Sequence, residues 1–491
     1  MYVTTVCLMV LAGTISATLF MSQSLRLDEA QTLWQTNRYP DGILYVVGQD
    51  VHVPLYHLTI YIWQVIFGNS IDIVRILSVL FFIITIPCVV LLGNQLFQSR
   101  RVSLFGAAIF TLSPFMNWYG NEARMYSMLV FFTVLNQYFF VRLRKEYSLA
   151  VWIGYGLTAI AGMYTHYYFG LVLLTQALFY VAHTKLFPKY SFRNFFLTAT
   201  AVALTIAPWI LYVRYLGKIS NSEPLLQSPT TIDLFNTFAQ FMFGIQSIPI
   251  NSFIVSLWPL VMLAWLFSLQ KREKTSIDAV YLIYSIVVPI FLSFGISIMI
   301  RPVFQARYLI FTLPAFSLTL AAMIDSCGPF LRRILSTLMI IGLLVALLII
   351  SYNPETPTKE NFSEVASYLE THANPQDVII VSAPFTIYPL QYYYQGPTRV
   401  STLPIWNQFI TGPIPAFNPA TFPEEVRKVV GSHQRAWLLL SYDQGYEKTI
   451  RTYFDNHFER LEQSEVSPGM TLALYKLRYD TDVSIYKSLS K

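Results

Sequence analysis

The apolar residues of this 491-residue chain fall in long blocks. A helix rises about 1.5 Å per residue, so crossing a hydrocarbon core takes about 20 apolar residues. Blocks of that kind lie near 3–22, 74–96, 102–118, 124–141, 148–165, 167–184, 194–216, 252–269, 277–298, 305–324 and 332–351. The chain is 54% hydrophobic and 12% charged, with a mean hydropathy of +0.48, whereas a soluble domain carries roughly 25% charged residues. So few charges cannot make a water-exposed surface. The expected fold class is a multi-pass α-helical membrane protein with about eleven spans.

The basic residues report orientation. Arg100-Arg101, Arg142 with Arg144 and Lys145, Lys185 with Lys189 and Arg193, Lys271-Arg272 with Lys274, and Arg332-Arg333 fall at every second loop. The positive-inside rule makes those loops cytoplasmic. Gly120–Arg124, His166, the 217–250 loop, 301–307 and everything after 351 then lie on the other side, and a cytoplasmic N-terminus adds the 23–53 loop. The net charge of +6 is therefore a topology signal, and no nucleic acid is expected. Residues 1–20 lack a basic n-region and read as an uncleaved first span. The apolar stretch 54–67 is too short to cross, and counting it would invert every later loop, so it reads as an interfacial or re-entrant helix. Cys7, Cys88 and Cys327 show neither a disulfide framework nor zinc-ligand spacing.

After 351 the chain changes character. A proline-rich linker at 353–357 leads into a soluble stretch with helices at 362–371 and 424–432, buried-type strands at 377–382 and 436–441, and an alternating, edge-like strand at 470–477. The reading is a transmembrane domain over 1–351 and a small extracytoplasmic α/β domain over 352–491.

Ionisable residues beside apolar spans are costly to desolvate, so each invites a functional reading. Asp28 and Glu29 follow the first span, where an acid can act as a general base, or where Asp28 can simply cap a helix starting at Glu29. Asp50, His52 and Tyr56 flank the start of the short helix, and His52 can bind a metal or phosphate or be merely solvated. Glu122, Arg124 and Tyr126 crowd one outer turn, with Glu122 and Tyr126 on one helix face at i, i+4; the alternative is an interfacial belt with a dipole-favoured Glu. His166 sits in a tyrosine-rich hairpin, either in a site or satisfied in an aromatic belt. Arg301, Arg307 and Tyr308 run against the positive-inside trend, which fits a bidentate lipid-phosphate site or arginines snorkelling to headgroups.

In order and in type, these residues resemble the C-type (GT-C) glycosyltransferases, in the branch of the protein O-mannosyltransferases and the aminoarabinose transferase. Leu27-Asp28-Glu29-Ala30 resembles the acidic motif of the family's first loop. His52-Val53-Pro54-Leu55-Tyr56 is similar to its His-Pro-Pro-Leu-Tyr segment, with Val53 in place of a proline. Ser113-Pro114 through Glu122-Ala123-Arg124-Met125-Tyr126 resembles the second acidic loop, and Arg307-Tyr308-Leu309 with Pro314 the late arginine motif. Each motif is weak alone; four in order on one face are specific. The resemblance covers roughly residues 1–330.

It implies a GT-C-like fold in a plasma (inner) membrane. It also implies inverting transfer of a sugar from a polyprenyl-phosphate donor to a lipid, glycan or protein acceptor at the extracytoplasmic face, among membrane lipids. Asp28 would take the acceptor proton, and the arginines would stabilise the leaving phosphate. Glu122 either orients the acceptor or holds a divalent ion with Glu29; that ion is the one candidate cofactor. The rival readings are a lipid or small-molecule transporter, which would place charges near the midplane and show inverted repeats, and an anchored binding protein that works through its tail.

Overall fold

The computed structural model describes residues 1–50, 52–146, 148–189, 191–217, 227–247, 277–353, 355, 357–409 and 414–477. They form two compact units: the described residues of 1–23, 35–217 and 227–357 in the first, and those of 24–34 and 358–477 in the second.

The first unit is helical. Among the described residues, six helices are long and apolar enough to cross a membrane: Tyr2–Phe20, Ile71–Phe97, Ser191–Gly217, Ile277–Met299, Ala306–Asp325 and Pro329–Tyr352. Three further expected spans are the shorter helices Tyr126–Leu143, Leu149–Thr165 and Phe169–Ala182. Leu204, Leu211, Ile341 and Leu348 point outward and are exposed. Water would penalise apolar faces of that extent, and lipid does not. The expected span at 252–269 and the basic loop at 271–274 lie outside the described residues.

One expected span is not continuous. The 102–118 block breaks into Arg100–Leu112 and Pro114–Gly120, because a residue preceding proline is pushed out of the helical region. Ser113 has φ −56° and ψ 120°, and its hydroxyl accepts from the Met116 amide, capping the second helix. The 54–67 stretch is the helix Pro54–Phe67, with proline in its first turn, where the missing N–H costs nothing.

The bundle packs tightly where side chains are small. A Cβ on Gly93 or on Gly106 would come within 2.7 Å of the Leu318 side chain, so Ile71–Phe97, Arg100–Leu112 and Leu313–Asp325 approach closely through these two glycines. Polar groups inside find partners. Asn136 donates to the Tyr155 carbonyl and to Thr158, Gln176 donates to Asn136, and the Tyr155 hydroxyl donates to Gln176. Arg144, assigned to a basic loop, forms a largely buried ion pair with Asp278.

The second unit holds a five-stranded sheet: β1 Val378–Ser382, β2 Arg399–Thr402, β3 Arg435–Leu440, β4 Glu459–Ser467 and β5 Met470–Lys476. The order is β2-β1-β3-β5-β4. β1 runs parallel to β2 and β3, whereas β5 runs antiparallel to β3 and β4. Helices Phe422–Val430 and Glu447–His457 cover a core of Val378, Ile380, Leu438, Ala473 and Tyr475. The segment expected at the edge, β5, is instead an inner strand with a nearly continuous buried pattern. The edge on that side is β4, a charged and largely exposed strand that has no apolar pattern to announce it. Such charges guard an exposed edge against further pairing.

Candidate active site

The first acidic motif opens the helix Leu27–Thr36, with Asp28 and Glu29 in its first turn. The Arg26 amide donates to Glu29 Oε2 at 2.9 Å, one half of a capping box. Capping therefore falls to the buried Glu29, and the expectation of an Asp28 cap with the helix starting at Glu29 is corrected. Asp28 is half-buried.

This motif belongs to the compact unit of the α/β domain. The Leu25 amide donates to the Tyr393 hydroxyl at 2.9 Å. The Trp34 ring lies 5.0 Å from that of Tyr388 and 5.9 Å from that of Phe409. Burial, and then the charge of Arg26, pulls Lys359 down to about 8. Nothing in the 23–53 loop announced that its first part is held by residues more than 300 positions away. The contacts are aromatic and backbone ones with no sequence signature.

Within the first unit the other motifs meet. Arg124 Nη2 donates to His52 Nε2 at 2.8 Å, which requires a neutral imidazole with its proton on Nδ1. Both side chains are buried, as are Glu122 and Tyr126. Asp50 Oδ2 lies 3.6 Å from His52 Nε2 and accepts from Gln35 at 2.8 Å, while Gln35 Oε1 accepts from His57 Nε2 at 3.0 Å. The His52 and His57 rings stack at 5.7 Å. Tyr56 and Ser78 hydroxyls are 2.8 Å apart, and Ser78 donates to the Arg124 carbonyl. Charge, imidazole and backbone are thus held in one hydrogen-bonded set, the condition under which buried polar groups are tolerated.

The second acidic turn is not helical. Asn121 to Met125 form an irregular turn in which the Arg124 amide donates to the Glu122 carbonyl at 2.6 Å, and the helix begins only at Tyr126. Glu122 and Tyr126 therefore share no helix face, contrary to expectation. Tyr126 packs edge-on to Tyr119 at 5.2 Å.

His166 and the late arginine motif adjoin this set. The His166 ring is 5.5 Å from the Tyr308 ring, and its Nδ1 accepts from the Tyr168 amide at 3.1 Å. Burial, then the charges of Arg124 and Arg307, pushes His166 well below the ordinary imidazole range. Arg307 donates to Gln305 at 2.8 Å and stacks over Tyr308. Arg301 is exposed just beyond the end of the helix Ile277–Met299, and its charge reaches Tyr168, the ring that packs on His166 and Tyr308. Among the described residues no group of three or more His, Cys, Asp or Glu side chains could hold a metal ion.

Gln35, His57, Ser78 and Arg75 are the additions to the expected set. Arg75 is buried at the start of Ile71–Phe97 and donates to the Met21 and Gln23 carbonyls at 3.1 and 2.7 Å, tying down the end of the first span. A charge inside an apolar block is the signal that would have singled it out.

Solved structures share this architecture. ArnT from Cupriavidus metallidurans, in the apo state, superposes with a TM-score of 0.61 over 96% of this chain and 97% of its own, at 12% identity. The same enzyme bound to undecaprenyl phosphate gives 0.61 over the same shares at 11%. The chain has the GT-C fold. An oligosaccharyltransferase from Archaeoglobus fulgidus, in the apo form, shares the GT-C fold more distantly, with a TM-score of 0.50, 10% identity, 89% of this chain and 69% of that one. Residues 51–212 match the family model described as dolichyl-phosphate-mannose-protein mannosyltransferase. That match contains the His52–Tyr56 and Ser113–Tyr126 motifs, so the resemblance read from the sequence holds for this GT-C chain. No curated protein is significantly similar in sequence.

Proposed function

We propose that this chain is an inverting glycosyltransferase that moves a sugar from a polyprenyl-phosphate donor to an acceptor at the extracytoplasmic face of a plasma (inner) membrane, with the α/β domain on that side. The observation that carries the reading is the buried Arg124–His52 pair with His166, Tyr308 and Arg307 beside it, set at the end of a bundle whose fold is shared with an enzyme solved with undecaprenyl phosphate. Two guanidiniums, the buried Arg124 and the half-buried Arg307, act on the same histidine and suit a phosphate leaving group, because partial exclusion of water strengthens charge stabilisation.

Asp28 is the general base. It follows the first span in the first turn of Leu27–Thr36, half-buried, at the position that resembles the first acidic motif, and a carboxylate there can take the proton of an acceptor hydroxyl. Proton removal, attack at the anomeric carbon and departure of the lipid phosphate make a single displacement, with inversion. Glu122 orients the acceptor. Tyr308, half-buried beside His166 and Arg307, offers the donor sugar an aromatic face and a hydroxyl, with the buried Tyr56 and Tyr126 behind the site.

The decisive test is sugar transfer in membranes, normalised to protein level, for Asp28→Asn beside Glu29→Gln and Glu122→Gln. Asn keeps the shape but cannot take a proton, so turnover should fall about 10²- to 10⁴-fold with donor binding retained. Near-normal turnover in Asp28→Asn overturns the assignment, and a steep loss confined to Glu122→Gln passes the role to Glu122.

A further inference from the structure

The far end of the bundle carries a second concentration of charge that the proposed reaction does not use. Arg100–Leu112 and Leu313–Asp325 each have one end next to the functional motifs and the other end here. At 13 residues each is about 20 Å long, so this cluster is well removed from Arg124 and Arg307. A cleft of about 290 Å³ opens between these two helices and the start of Pro329–Tyr352. Its polar wall is Arg101, Asp325, Arg332, Arg333, Ser336 and Thr337.

The charges do not balance. Asp325 is shared between Arg101 at 3.5 Å and Arg332 at 3.6 Å, both longer than the 2.7–2.9 Å of a tight charge-assisted bond. Arg333 has no carboxylate partner among the described residues and is exposed. Three guanidiniums against one carboxylate leave two positive charges in excess. A guanidinium carries five donors, so most of this donor capacity is unspent, and two hydroxyls lie one turn further along the same helix.

The floor and the surroundings decide which anion fits. Phe105 and Ile324 line the inner wall of the cleft, and Phe330, Ile334 and Leu338 beside it are exposed apolar side chains. A free anion would gain nothing from this apolar approach. A lipid would fill it with acyl chain while its phosphate met the arginines, the combination expected of basic pockets between membrane helices.

We propose that this cleft is a binding site for the phosphodiester headgroup of an anionic phospholipid, held by Arg101, Arg332 and Arg333, with the acyl chains along Phe105, Ile334 and Leu338. The site is independent of the donor-phosphate site, and its existence does not depend on the reaction proposed above.

The test is native mass spectrometry of the full chain purified in detergent and titrated with phosphatidylglycerol, with phosphatidylcholine and with inorganic phosphate. The wild type should retain phosphatidylglycerol in preference to phosphatidylcholine, and millimolar phosphate should not displace it. The R101Q/R332Q/R333Q variant should bind phosphatidylglycerol about tenfold more weakly, with phosphatidylcholine unchanged, a loss of about 1.4 kcal/mol. Should that variant fail to fold, R333Q, which breaks no ion pair, carries the test with about a threefold loss. Equal retention of both lipids, or unchanged phosphatidylglycerol binding in the variants, overturns the proposal. Displacement by inorganic phosphate also overturns it, because the site would then be one for a free anion.

Discussion

The two ends of the helical unit use the same side chain in opposite ways. Arg124 is buried, donates to a neutral histidine at 2.8 Å and sits within a set that extends through His52, Asp50, Gln35 and His57. Arg101, Arg332 and Arg333 stand at a cleft, loosely paired to one aspartate or to none. A buried guanidinium must have its geometry fixed by neighbours, because desolvation without partners costs several kcal/mol. An exposed one needs no such support and is screened by salt. The first arrangement is a preorganised charge, suited to chemistry. The second is adaptable and suited to a mobile headgroup.

Removing Arg124 should have the largest effect on this contrast. Arg124→Ala leaves the His52 acceptor without its donor, a penalty of about 1–3 kcal/mol, and should cut sugar transfer by about 10²-fold or more. Arg333→Ala should shift stability by no more than about 0.5 kcal/mol and leave transfer unchanged. Thermal unfolding in detergent, with a transfer assay on both variants, checks this, and equal losses at the two positions would erase the distinction.

A smaller separation is expected within the late arginine motif. Arg307 is stacked and hydrogen-bonded beside Tyr308, whereas Arg301 is exposed. Lysine keeps the charge and loses the two-pronged fork, so Arg307→Lys should raise the donor concentration needed for half-maximal transfer by about tenfold, and Arg301→Lys should leave it nearly unchanged. The reverse ranking would place the donor phosphate on Arg301.

The smallest effect is one of pH. His166 has its pKa lowered in the folded chain, mainly by burial, whereas an unfolded histidine titrates near 6.5. Below about pH 6.5 the unfolded state takes up a proton that the folded state does not, so the stability present at higher pH is lost as pH falls. The loss should be about 1 kcal/mol by about pH 5.5. His166→Gln should flatten the slope of unfolding midpoint against pH by that amount. An unchanged slope would mean that His166 is charged in the folded chain.

Legibility in the sequence followed the range of the interaction that shapes each part. Helices read from apolar blocks reappear within a few residues, as 74–96 does in Ile71–Phe97 and 332–351 in Pro329–Tyr352. Solvent alone sets that pattern, and apolar length records it. The break at Ser113-Pro114 is also written locally, in the proline, but the hydropathy on either side masks it. Glu122 was misplaced onto a helix because a turn of buried polar residues has no periodicity to betray it. β5 was read as an edge because alternation reports one exposed face, and only strand pairing says that β4 lies beyond it.

The sequence by itself therefore determined the membrane class, most of the helices, the presence of an α/β tail and the residue types on which the proposed reaction calls. Those follow from solvation and from short motifs, which act over a few residues. Tertiary structure alone decided that Arg124 meets His52 across 72 positions, that Gln35 links Asp50 to His57, that Glu29 rather than Asp28 closes the helix cap, and that Ser24–Trp34 joins the unit of the α/β domain. Such pairings are fixed by how helix ends converge when a bundle packs. A hydrogen bond between distant residues leaves no periodic trace in either of them.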